Sequence, residues 1–530
     1  MNDRIPQDQP PAAARDLTDP TMLPLFSGPL SDQRRPGRSR STFSLADPAG
    51  DAAQPPSLEG SRPPMVSTVS QFAALPSPAR AAQPGDGIDW SLVAALRTAA
   101  SERLMAALET NPQFDRGQQQ RLGWRIIGEL LDDEVTDQAR SGRGAIDRQH
   151  QARLAQAVFD ALFRLGRLQP LVDDPRVENI TILGCDEVWL EYADGRLVRG
   201  PAVADSDQDL VDFLVFLASR SEVNARQFSE ANPRLHLRLD GGERLAATAW
   251  VTPRPSVVVR RHRLKDVTLA DLVAKGSLSS VAASFLAAAV RARKSIVVAG
   301  PQGAGKTTMV RALCAEIGPN EAIGTFETEY ELHLHEMKDR HPIVHAWESR
   351  PGGEMQANGR RAGEFTLDDA LYDSYRFTLS RQIVGEVRGS EVLAMIEAMQ
   401  SGTGSLSTTH AESAERAVSK LVTCAMKAGS HVTEQYATRA IAESLNIVVH
   451  VDARVESNND VSRKRRWTSQ IVILGPGEKE KGYSLTSVFA CPRGSTRIRA
   501  VSGMPEDYRE LAVYGFDLNG YLAESQRAAS

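Results

Sequence analysis

The chain opens without any hydrophobic rhythm and acquires one only near Trp90. About half of its 29 Pro fall before residue 88, among Ser, Ala and Gln. A stretch of that kind buries too little apolar surface to offset its ordering entropy, which predicts a disordered Pro-rich tail over 1–87. From Trp90 the apolar positions recur at three and four residues. Leu92, Ala95, Leu96, Leu104 and Leu108 form one such series, and Leu122, Ile126, Ile127, Leu130 and Leu131 form the next, beyond the Asn111-Pro112 break. That spacing predicts a small helical domain, placed at 88–150, with a further helix over Leu154 to Leu165.

The rhythm then changes to short β-rich runs. Asn179 to Leu183 and Glu187 to Tyr192 predict strands, with a hairpin turn at Ala193-Asp-Gly-Arg196. Asp209 to Ser219 has helical spacing, and Asp240-Gly-Gly242 separates two more strand-like runs. Ser256 to Arg260 is the last of these, giving a mixed α/β N-terminal domain over 151–268. From 269 onward, helical stretches alternate with buried runs at Ser295 to Ala299, Ala322 to Phe326, Gln382 to Gly385, Ser405 to Thr409, Ile447 to Val451 and Gln470 to Leu474. Apolar on both faces, such runs suit a parallel sheet covered by helices on each side. Val455 to Arg466 is polar and predicts a loop.

The first of these runs leads into Gly300-Pro-Gln-Gly-Ala-Gly-Lys-Thr307, which matches the phosphate-binding loop G-x-x-x-x-G-K-[ST]. Its glycines admit a phosphate chain close to backbone N–H groups, and the following helix adds its positive end. The expected nucleotide contacts are Gly300, Pro301, Gln302, Gly303, Ala304, Gly305, Lys306, Thr307 and Thr308. Lys306 is expected to reach the β- and γ-phosphates of ATP, and the Thr307 hydroxyl to hold Mg²⁺. Lysine is scarce in this chain, first occurring at Lys265, so a lysine at the one position the motif requires carries weight. Strand–helix alternation around this loop predicts a RecA-like domain over 269–530.

Hydrolysis requires acids at neighbouring strand ends. Glu386, after Gln382 to Gly385, is expected to support Mg²⁺ on a strand beside the loop strand. Glu327, after Gly324-Thr-Phe326, is expected to orient the attacking water.

Composition narrows the class. The net charge is −5, which disfavours a dedicated nucleic-acid binder, so no direct nucleic-acid contact is expected. Four scattered Cys form no C-x-x-C pair and imply neither a zinc site nor structural disulfides. No signal peptide and no run of eighteen apolar residues is read, so the expectation is a cytoplasmic protein.

Four stretches together resemble the type II/IV secretion ATPase superfamily, most closely its Tad pilus (CpaF-like) branch. Beyond the phosphate loop, Thr325-Phe-Glu-Thr-Glu-Tyr-Glu-Leu332 resembles the family's acidic box, Gly385-Glu-Val-Arg-Gly389 its modified Walker B element and Ser407-Thr-Thr-His-Ala411 its histidine box. Leu168 to Val177, Leu190 to Leu197 and Ser256 to Arg260 resemble parts of its N-terminal domain. The likeness runs from about Ala152 to Leu518. Departures are Thr328 in place of Asp, the short Gly402-Thr-Gly404, and Leu379-Ser-Arg381 in place of Pro-Asp-Arg. The resemblance implies a homo-hexameric motor ATPase at the cytoplasmic face of the membrane, working on an inner-membrane platform protein in pilus assembly or protein secretion. It also implies arginines at the phosphates: Arg260 and Arg388 foremost, with Arg261, Arg350, Arg376 and Arg381 as further candidates, and His410 as a γ-phosphate sensor. Two rivals are a nucleic-acid-translocating motor on the same core and a nucleotide-binding scaffold with weak hydrolysis.

Overall fold

The computed structural model describes residues 87–141, 147–220, 228–261, 266–350, 352–353, 355–356, 360–458, 461–477 and 482–529. The expected tail, apart from its last residue, lies outside them. The chain divides into two compact units, one ending at Gln169 and the other beginning at Pro170.

The first unit is helical: α1 (Trp90–Glu109), α2 (Arg116–Arg140) and α3 (Arg148–Phe163). Asp89 starts α1 by accepting the N–H groups of Ser91 and Leu92, and Asp147 starts α3 by accepting that of His150. The apolar stripes meet in one core built on Leu104, Ile127, Leu131, Leu154 and Leu162. Gly123 lets α2 and α3 approach, since a Cβ there would stand 2.3 Å from the Phe163 ring. The stripe of α3 is buried in this core, so the boundary falls after Gln169 and not at 150 as the spacing predicts.

The second unit holds two sheets. Strands β1 (Val177–Leu183), β2 (Val188–Tyr192), β3 (Leu197–Arg199), β4 (Arg234–Arg238), β5 (Arg244–Thr248) and β6 (Ser256–Arg260) form an antiparallel sheet in the order β3-β2-β1-β6-β5-β4. The second sheet contains β7 (Ile296–Ala299), β8 (Ile323–Glu327), β9 (Val344–Glu348), β10 (Arg381–Val387), β11 (Ser405–Thr409), β12 (Ile447–Asn458), β13 (Val461–Pro476), β14 (Tyr483–Ala490) and β15 (Arg499–Ala500). Its order is β15-β14-β13-β12-β7-β11-β10-β8-β9. The six strands from β12 to β9 run parallel, and β13 to β15 extend the sheet antiparallel. The expected division at 268/269 separates the sheets, but both belong to the same compact unit.

The strand β7 shows why a doubly covered sheet forms. Ile296 and Val298 enter one core with Phe285 and Leu286 of the helix Ser280–Arg291, while Val297 and Ala299 enter the other with Met395, Leu421 and Ile441. All four are buried, as the unbroken apolar run requires.

Two expectations are corrected here. The loop strand β7 lies between β11 and β12, so the Glu386-bearing β10 is one strand further away than expected and β8 further still. Parallel neighbours are chosen by crossover geometry, which chain order does not reveal. The stretch 455–466 is not a loop: β12 and β13 pair from Ile447↔Ile473 out to Asn458↔Val461. This outer ladder runs past the cores, Arg454, Val455 and Glu456 are exposed, and the half-buried alternation that betrays a strand is therefore missing.

Candidate nucleotide site

The phosphate loop leaves β7 at Gly300, whose φ is 155° and whose added Cβ would stand 2.2 Å from the Val451 carbonyl of β12. Any side chain there would lift the loop off the sheet. Gly305, at φ 94°, turns the chain into the helix Lys306–Cys314 and stands at its N-cap. The loop opens into a cavity of about 740 Å³. Ten Lys and Arg but only five Asp and Glu line it, in a chain whose net charge is −5. A concave, cationic wall at a helix N-terminus fits a polyanion. Of the residues expected to hold nucleotide, Gln302 to Thr308 and Arg260 line this cavity, whereas Gly300 and Pro301 form the turn behind it.

Lys306 is nearly buried. Its Nζ donates to the Pro301 carbonyl at 3.1 Å and lies 3.2 Å from His410 Nδ1. Burial draws its pKa down to about 8, with the Glu386 charge opposing. His410, delivered by β11, has Nε2 2.8 Å from Glu386 Oε1, a close polar contact and not an aligned hydrogen bond. Arg388 Nη2 donates to Glu386 Oε2 at 2.5 Å. Burial alone would raise the Glu386 pKa, but the His410 and Arg388 contacts outweigh it and hold the carboxyl at about 2. Lysine, histidine, carboxylate and arginine thus form one connected row, and all four line the cavity.

Glu327 behaves differently. It is buried and absent from the cavity wall; Oε1 accepts the backbone N–H groups of Glu331 and Leu332 at 2.8 and 2.9 Å. Burial lifts its pKa to about 8. The expectation that it orients a water at the phosphates is not met by this placement, because its hydrogen bonds fold the acidic segment back and present another acid. Glu331 Oε2 accepts from the Thr307 hydroxyl at 2.9 Å, and Glu331 lines the cavity. Arg244 on β5 pairs with Glu331 and, at 3.0 Å, with Glu329. Thr307 and Glu331 bring oxygen donors into direct contact, which suits Mg²⁺, while Glu386 lines the same cavity without touching either.

Among the arginine candidates, Arg260, Arg261 and Arg388 line the cavity. Arg350 donates to the Gly363 carbonyl, Arg376 lies over the Tyr372 ring, and Arg381 is buried in a bidentate pair with Glu321; none of these three lines the cavity. Sequence reasoning missed Arg244, Lys464 and Arg466 in the wall. A lysine inside a basic run of a lysine-poor chain was the available signal for the last two.

A phosphate loop on a parallel sheet, with paired acids and cations around it, defines a P-loop nucleotide-binding protein. The family model described as Type II/IV secretion system protein matches residues 177–491, and the chain belongs to that family. It is 28% identical over 263 residues to an uncharacterized protein of Methanocaldococcus jannaschii, covering 49% of this chain and 45% of the relative. It is 37% identical over 173 residues to the type IV secretion system protein PtlH of Bordetella pertussis, covering 32% and 48%. The matches thus span about half the length of these two relatives. Among solved structures, the VirB11 ATPase of the Brucella suis type IV secretion system is similar at 24% identity, 60% and 95% coverage and a TM-score of 0.29. Among the described residues no helix is long and apolar enough to cross a membrane.

Proposed function

We propose that this protein is a Mg²⁺-dependent motor ATPase of a type II/IV secretion or Tad-type pilus system. The observation that carries the reading is Lys306, held at the base of a cationic cavity between the Pro301 carbonyl and His410. An ammonium held there meets the phosphate chain without prior reorganisation. Thr307 and Glu331 would hold Mg²⁺, which supplies charge neutralisation at the phosphate oxygens when bound. Glu331 also stands where a carboxylate can orient water, a role in which Arg244 fixes its position. His410 lies between Glu386 and Lys306, which supports its reading as a γ-phosphate sensor. Family membership supports the coupling of this chemistry to secretion or pilus assembly. The working form in this reading is a homo-hexamer at the cytoplasmic face of the membrane, engaged with an inner-membrane platform protein, and relative motion of the two sheets is its mechanical step.

The test is Lys306→Ala in the full chain. Phosphate release is expected to fall to background and ATP affinity to weaken. Turnover at the parent rate would end the assignment.

A further inference from the structure

The β12–β13 hairpin carries a second cationic group to the mouth of the phosphate loop, from a stretch outside the motifs above. Arg466 Nε donates to the Gly303 carbonyl at 2.9 Å, and its Nη2 donates to Glu178 Oε1 on β1 at 2.5 Å. Lys464 flanks it: its backbone N–H donates to the Asp194 carbonyl at 2.7 Å and its Nζ to Glu191 at 2.8 Å. A Cβ added to Gly303 would lie 3.3 Å from Lys464 Nζ, and one added to Gly305 would lie 3.7 Å from Arg466 Cδ. The arginine therefore rests on the loop itself, over two of its three glycines, and lines the cavity.

A tie between hairpin and β1 would need only the Glu178 contact. The additional Nε bond to a phosphate-loop carbonyl fixes the guanidinium plane beside the path a phosphate chain must take. Five in-plane donors suit phosphate oxygens better than a single carboxylate at 2.5 Å can use. Glu178 also lines the cavity, so the arginine's present acceptor and an incoming polyanion would compete for the same donors. Resting on the nucleotide reading of the site, we infer that Arg466 binds the phosphate chain of a nucleoside polyphosphate in the same subunit, and that Glu178 is the acceptor it gives up in exchange. Because Glu178 stands on β1, this exchange carries loop occupancy into the first sheet.

The test compares full-length parent, Arg466→Ala, Arg466→Lys and Glu178→Gln by equilibrium binding of ATP and ADP, with thermal midpoints recorded without nucleotide. Arg466→Ala is expected to weaken both nucleotides by about tenfold or more, the scale of a charged hydrogen bond. Arg466→Lys should recover part of that loss, and Glu178→Gln should tighten both nucleotides by removing the competitor. A purely structural tie predicts the same sign for both partners, since either change breaks the same ion pair. Parent affinity in Arg466→Ala, or weakened binding in Glu178→Gln, overturns the inference. If Arg466→Ala does not fold, the sign in Glu178→Gln decides alone. A parent chain that binds neither nucleotide defeats the nucleotide reading itself, which is a distinguishable result.

Discussion

Glu327 and Glu386 stand at the ends of adjacent parallel strands, and their environments are opposite. Glu386 has Arg388 and His410 within 2.8 Å and is held ionised, with a pKa of about 2. Glu327, one strand over, is enclosed by the core and bonded only to backbone N–H groups, and its pKa rises to about 8. The strands are packed tightly enough that a Cβ on Gly385 would stand 2.9 Å from Glu327 Cγ, which explains the glycine before Glu386. Position at a strand end therefore does not assign the chemistry of an acid. Its neighbours do: one carboxyl faces a cationic cavity, while the other pins the turn that carries Glu331 to Thr307.

The largest test of this contrast exchanges roles between acids. Glu331→Gln should reduce phosphate release by on the order of a hundredfold or more while still binding ATP, the scale of lost general-base or water-orienting work. Glu327→Gln should keep most of the turnover, because an amide oxygen can accept the same two N–H groups. An equally deep loss in Glu327→Gln, with unchanged melting and nucleotide affinity, would return the catalytic role to Glu327.

A smaller effect is expected at the ionised acid. Glu386→Gln removes the charge that holds the Lys306 pKa up against burial. In the parent, ATP affinity should decline as pH rises past about 8, where free Lys306 loses its proton. The variant should show that decline at lower pH, with affinity at pH 8 below the parent's and an altered Mg²⁺ requirement, readable from binding titrations across pH. Coincident pH profiles would show that Glu386 does not act on Lys306.

The last effect is on stability, not on turnover or binding, and concerns Glu327 alone. Its folded pKa, about 8, lies above the ordinary 4.5. Between these values the folded state keeps a proton that the unfolded chain has lost, so stability falls as pH rises across the window and levels off above about 8. Glu327→Gln should remove this contribution, so that in urea unfolding the variant gains stability relative to the parent from pH 5 to about pH 8 and holds that gain at pH 9. A constant difference across that range would mean the carboxyl titrates normally in the fold.

Much of this site was legible because chemistry restricts residue types. The phosphate loop admits few substitutes for Gly305, Lys306 and Thr307, and β7 had to be apolar on both faces. The choice among Glu327, Glu329 and Glu331 was not legible. All three are acids in one short segment, and which reaches the loop is decided by contacts that their spacing does not show: the backbone bonds to Glu327 and the Arg244 pairs with Glu329 and Glu331. The order of β11 and β10 was hidden for a related reason, since each is a short buried run and pairing depends on helices packed elsewhere. The hairpin was hidden because Lys464, Arg465 and Arg466 have the polarity of a loop while serving as strand residues in the cavity wall.

The contact between Gly300 and Val451 also bears on how the protein emerges from the ribosome. Strand β7 gains its β11 neighbour only after residue 405 and its β12 neighbour only after residue 447. At synthesis rates of about 5–20 residues per second, the loop sequence waits on the order of ten to thirty seconds for the strand it must rest on. A nascent chain arrested before β12 holds every residue of the nucleotide-binding motif and lacks the wall that shapes it. Nucleotide capture should therefore first occur late in translation, when β12 has cleared the exit tunnel.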